Sequence, residues 1–180
     1  ESKPKWAVRG SGVDPQNIFA TSSGWVLRHY KNAAKTEYWD EILVAVDGLV
    51  GAGGRGTNTL GAADITAVFF EETGYAGGAT GTVVVIYNEQ VNVTNGATLV
   101  VRNTTDSANI TATAAAQTST NRVEFTFTAA ATGKAHAIQA QTISGTIVDT
   151  TGGATSDKAF ATGDVVGAGG SGSTATFTAS

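Results

Sequence analysis

From Asp64 onward, apolar and polar residues alternate in short runs broken by glycine. Val123, Phe125 and Phe127 alternate with Glu124, Thr126 and Thr128, which sets one face of a strand inward and the other outward. The same reading predicts strands over 65–71, 81–88, 98–103, 109–116, 122–129 and 135–143, with a last one near 157–160. Gly77-Gly78, Asn95-Gly96, Thr132-Gly133 and Gly152-Gly153 supply the turns between them. The alanine-rich run 112–116 has helical propensity, but its threonine neighbours favour a strand.

The first 60 residues follow a different pattern. Residues 1–22 read as an extended arm, because Pro4 and Pro15 each disfavour helix at the preceding residue. Trp6, Ile18 and Phe19 are apolar anchors along this otherwise polar segment. A hairpin follows. GWVLRHY (24–30) places Trp25, Leu27 and His29 on one face, KNAAKT (31–36) forms a polar turn, and EYWDEILVAV (37–46) returns. The stretch Ile42 to Val46 is apolar on both faces, so burial between two layers is expected. Trp6, Trp25 and Trp39 are expected to form one aromatic cluster. Residues 48–62 are glycine-rich and read as a flexible connector. A phosphate-binding loop there would need a helix next, and a strand pattern follows instead.

The predicted fold class is all-β: an N-terminal extended arm and β-hairpin lobe followed by an immunoglobulin-like β-sandwich. Seven short strands over roughly 100 residues is the count such a sandwich needs. The expected organisation is an attachment region over 1–60, a sandwich over 61–160, and a glycine-rich tail over 161–180. The tail closes on a strand-like TATFTA, expected to pair with a sheet edge of its own or a neighbouring subunit.

Composition narrows the function. Charged residues make up 14% of the 180, well below the usual quarter, and the chain is rich in small and β-branched residues. The net charge of −4 argues against a nucleic-acid partner, since phosphates would be repelled. Charge is uneven: residues 1–60 hold 7 Lys and Arg against 6 Asp and Glu, and residues 61–180 hold 4 against 9. The first part therefore suits an acidic surface better than the second. No cysteine is present, so disulfides and thiolate metal sites are excluded. That fits folding in a bacterial cytoplasm, including synthesis there by a virus. No apolar run is long enough to span a bilayer as a helix, so no membrane partner is expected.

Catalytic chemistry is not expected. His29 and His136 lie in strand patterns with no Ser or acid at a motif spacing. Glu71 and Glu72 are adjacent, so on a strand they point to opposite faces and do not share a proton. Asp149 and Asp157 flank a glycine turn where oxygens could meet Ca²⁺, but no full calcium-loop pattern surrounds them. No cofactor and no metal is assigned. The sequons at Asn92, Asn103 and Asn109 are unremarkable in a threonine-rich chain.

Residues 75–160 resemble the bacterial immunoglobulin-like repeats of surface-layer proteins and adhesins. The resemblance rests on Tyr75 and Gly78, on VVVIYNEQVNVTNG (83–96) followed by TLVV, on NRVEFTFT (121–128), and on SGTIVDTTGGATSD (144–157). Ala79 stands where that family carries Asp after the glycine, so no cation role follows for that turn. The resemblance implies an immunoglobulin-like fold with a display or adhesion role and no catalytic residues. The segments KPKWAVRGSGVDPQNIFATSSGWVLRHYKN and EILVAVDGL are similar to structural proteins of tailed phages. Together these imply a capsid decoration protein on the virion head surface. Its partners would be capsid protein and copies of itself, as a dimer or trimer, with a host surface or glycan as a further partner. The expected partner-binding residues are Trp6, Ile18, Phe19, Trp25 and Trp39. The alternative is a bacterial cell-surface or filament adhesin module.

Overall fold

The computed structural model describes residues 14–21, 24–45, 62–150, 153–170 and 175–180. The chain is mostly β, as the alternation predicts. Three short strands come first: β1 (Ile18–Thr21), β2 (Gly24–Tyr30) and β3 (Tyr38–Ala45). They form an antiparallel sheet in the order β1-β2-β3. Ten more follow: β4 (Ile65–Phe70), β5 (Thr80–Val93), β6 (Ala97–Asn103), β7 (Ala108–Ala114), β8 (Gln117–Thr128), β9 (Ala135–Ile138), β10 (Gln141–Thr142), β11 (Ile147–Asp149), β12 (Ala159–Phe160) and β13 (Thr176–Thr178).

The main sheet has eight strands, ordered β11-β5-β8-β7-β6-β9-β13, with β4 also on β5. Strand β5 organises it. Its first half pairs with β4, from Phe70↔Val83 to Ile65↔Tyr87, and its second half pairs with β11, from Asp149↔Val91 to Ile147↔Val93. Strand β8 lies along the other flank of β5. The two ends of the sheet curl toward each other. Phe70 on β4 meets Phe177 on β13 edge-on, with ring centroids 4.9 Å apart. Val68 makes a parallel bridge with Val165. The N–H of Ser180 donates to the Tyr75 carbonyl, and the N–H of Gly77 donates to the Ser180 carbonyl. The result is a nearly closed, barrel-like sheet.

Two glutamine side chains complete edges where strands break. The Gln141 amide accepts from the Val100 N–H at 2.7 Å and donates to the Val100 carbonyl at 2.7 Å, as a paired backbone would. Gln117 does the same for Glu124, accepting from its N–H at 3.1 Å and donating to its carbonyl at 3.0 Å. Each removes an unpaired backbone donor and acceptor, which would otherwise be costly where water is excluded.

The apolar runs VFF and VVVIY now have a physical reason. Val68, Phe70, Val83, Val85 and Tyr87 point into the barrel core. Ala67, Phe69, Val84 and Ile86 point outward and are covered by Ile18, Trp25 and Val166 in a second core. A strand buried on both faces carries no polar alternation. The three-stranded sheet is therefore the outer layer over β4 and β5.

Several expectations change here. Of the expected arm, residues 1–13 lie outside the described residues. Residues 14–21 of the expected extended arm form a 3-10 turn (Pro15–Asn17) and strand β1, which pairs with β2 and packs Ile18 into the second core. The Asp14 carboxylate caps that turn by accepting from the Gln16 N–H. Ile42 is 63% exposed, so the stretch expected between two layers is an edge strand instead. The cause is a bulge. Trp25 pairs with Val44 but Val26 pairs with Ile42, which leaves Leu43 unpaired and turns Leu43 and Val44 toward the second core. Val46 and the connector residues 48–61 lie outside the described residues. The C-terminal strand pairs with β9 of its own chain, Phe177 opposite His136.

Candidate interaction surface

The β2–β3 hairpin presents the exposed apolar surface of the described chain. Its turn is closed by Asn32, whose Oδ1 accepts from the N–H groups of Thr36 at 3.0 Å and Glu37 at 3.4 Å. Lys35 takes φ 56°, a left-handed turn position. Tyr38, Trp39 and Ile42 on β3 are 48%, 51% and 63% exposed. Among the described residues these are the large hydrophobics that face solvent.

Cross-strand register decides how these side chains are held. Arg28 lies opposite Asp40, and its Nε and Nη2 donate to Oδ1 at 2.8 Å and Oδ2 at 2.9 Å. The same guanidinium lies over the Phe19 ring at 4.4 Å and the Tyr38 ring at 3.7 Å. A planar cation between two aromatic faces with a bidentate carboxylate is well suited to hold a flat surface. The Asp40 hydrogen bonds hold Arg28 protonated, above its already high ordinary value. Burial pushes the Tyr30 hydroxyl above its usual range, with the Arg28 charge opposing. On the opposite face His29 stacks on Trp39, ring centroids 4.2 Å apart at 12°. His29 Nε2 and Glu41 Oε2 are 2.8 Å apart.

The expected site residues divide. Trp6 lies outside the described residues. Ile18 and Trp25 are 1% and 5% exposed in the chain's own second core. Phe19 is 6% exposed beneath Arg28. Of the four described, Trp39 alone faces solvent. Trp25 and Trp39 do not cluster: Trp25 lies opposite Val44, whereas Trp39 lies opposite His29, four residues along β2 and about 13 Å away. Tyr38 and Ile42 were not among the expected residues. The signal for them was their position on a strand with one described neighbour, and that depends on the fold.

The two histidines have separate environments. His136 is fully buried and stacks on Phe177 at 4.4 Å and 2°. Its Nε2 accepts from the Ala130 N–H at 3.0 Å, which fixes a neutral tautomer, and burial pushes the imidazole below its ordinary value. His136 is thus a core residue.

A second titratable group sits where β5 passes from β4 to β11. The Asn88 N–H donates to the Asp64 carbonyl, and Asn88 Oδ1 accepts from the Asp64 N–H at 2.8 Å. The Thr150 N–H donates to the Gln90 carbonyl. Glu89 lies between these two ties, and its buried Oε1 has no hydrogen-bond partner. Burial, with the Asp149 and Asp64 charges behind it, raises the Glu89 carboxyl to about 7. Among the described residues, no group of three or more His, Asp or Glu is arranged to hold a metal ion. No described helix is long and apolar enough to cross a membrane.

No protein-family model matches the chain, and no curated protein or solved structure matches it either.

Proposed function

We propose that this chain is a non-enzymatic virion structural protein, a decoration protein that grips the capsid through its three-stranded N-terminal sheet and displays the β-barrel domain outward. The observation that carries this is the exposed apolar strand β3, with Trp39 stacked on His29 and facing solvent. Aromatic side chains held rigid by neighbours are the usual anchors of protein interfaces. The even closer packing of Trp25 and Ile18 against β4 and β5 fixes that sheet to the domain it would carry.

The domain reading is an immunoglobulin-like sandwich. Strands β6, β7 and β8 run as consecutive antiparallel neighbours, and β5 returns beside β8, which is a Greek key. The thin junction at the single Thr113↔Thr126 pair between β7 and β8 supports two layers of four strands, β4 and β11 with β5 and β8 in one and β7-β6-β9-β13 in the other. Such a domain serves display in many settings, so the fold alone does not choose among them.

Co-sedimentation with purified empty capsids tests the reading. Wild-type protein is expected to pellet with capsids. Trp39→Ala is expected to reduce the bound fraction at least about tenfold while its circular dichroism stays unchanged. Wild-type protein that stays in the supernatant would count against it. Decoration of bacterial cells instead of capsids would favour an adhesin module.

A further inference from the structure

We infer that β3 pairs edge to edge with β3 of a second copy, about a two-fold axis at Asp40, joining two three-stranded sheets into one of six strands. This rests on the reading above only in taking copies of the chain as a partner. Strand β3 has β2 on one side and no described strand on the other. Residues Glu37 to Ile42 are all exposed. Strands left open at a sheet edge normally carry lysine, proline or an outward bulge to discourage pairing. YWDEILVA holds no lysine and no proline. Its two acids are directed along the sheet toward β2, Asp40 to Arg28 and Glu41 to His29. The bulge at Leu43 interrupts the regular ladder, which leaves Tyr38–Ile42 as the straight part.

Register follows from self-complementarity. A two-fold axis normal to the sheet pairs residues of equal parity, so it must pass through a residue. Centred on Trp39, it sets Glu37 opposite Glu41, with no added cation. Centred on Glu41, it sets two Glu41 side chains together, each backed only by a histidine. Centred on Asp40, it sets Tyr38 opposite Ile42 twice, so two of the three exposed hydrophobics cover each other. The facing Asp40 carboxylates each keep a bidentate Arg28, giving a row of cation, anion, anion and cation. Asp40 is also the midpoint of the straight part. Trp39 lies on the other face of the sheet, where this register sets it opposite Glu41, so a dimer would present two copies of Trp39 on one face.

The full chain, which has no cysteine of its own, provides the test. Sedimentation equilibrium is expected to give a dimer for wild type, and Ile42→Asp is expected to weaken association at least about tenfold. Under oxidation, Asp40→Cys is expected to form a disulfide-linked dimer, because residues directly opposite on neighbouring strands bring Cβ atoms to about 5 Å. Glu37→Cys, about 20 Å from its copy in this register, is expected to stay unlinked. A monomeric wild type at about 100 μM, a dimer indifferent to Ile42→Asp, or equal crosslinking at both positions would overturn the inference. None of these assays contains a capsid. A dimer that ignores capsids would leave the pairing standing and remove the decoration reading.

Discussion

Glu89 gives the chain a stability that declines as pH rises. Its carboxyl is raised from an ordinary 4.5 to about 7, first by burial and then by Asp149 and Asp64. A carboxyl that holds its proton more tightly folded than unfolded stabilises fully below about pH 4.5. That contribution is lost as pH climbs to about 7. An isolated buried group would lose about 3 kcal/mol across this window. Glu89 is partly open to solvent, which screens both neighbouring charges, so about 1–2 kcal/mol is expected. Glu89→Gln keeps the shape and cannot ionise. Thermal unfolding at pH 5 and pH 8 reads the difference. Wild type is expected to lose about 3–6 °C more than the variant between the two pH values. Titration of His136 acts in both proteins alike and cancels in the comparison. Parallel pH profiles for wild type and Glu89→Gln would refute the reasoning.

Other expected outcomes follow from single contacts. Trp25→Ala removes the largest side chain binding the three-stranded sheet to β4 and β5, and should cost about 3–5 kcal/mol by urea denaturation. A Cβ at Gly81 would lie 2.5 Å from the Phe127 ring, so Gly81→Ala should destabilise by about 1–3 kcal/mol in the same assay. Because His136 is neutral and buried, protonation opposes folding, and stability should fall as pH drops below about 6.5. His136→Phe should flatten that acid limb in thermal melts, and an unchanged limb would point to another group. Gln141→Leu leaves the Val100 N–H and carbonyl without their partner, and hydrogen exchange at the Val100 amide should accelerate.

The strands with one wet face were legible from sequence, because alternation at Val123, Phe125 and Phe127 encodes burial directly. The both-sided burial of β4 and β5 was visible only as unbroken apolar runs, with no sign of what covers the second face. Strand β1 was missed because four residues between a proline turn and a serine pair carry too little period to read. The aromatic residues of the hairpin were found as residue types, but their roles were not. Trp25 and Trp39 lie on the same sheet face, and only the cross-strand register, which sets Trp39 opposite His29 four residues along β2, separates the core tryptophan from the exposed one. The glutamine amides that finish the strand edges leave no trace in a hydropathy pattern, since any polar residue would read the same.

Gold-labelled antibody against this chain, applied to purified virions and to host cells in the electron microscope, tests the decoration reading most directly. Label over the head surface, lost for virions carrying Trp39→Ala, is the predicted result. Label on the cell envelope with bare virions would contradict it.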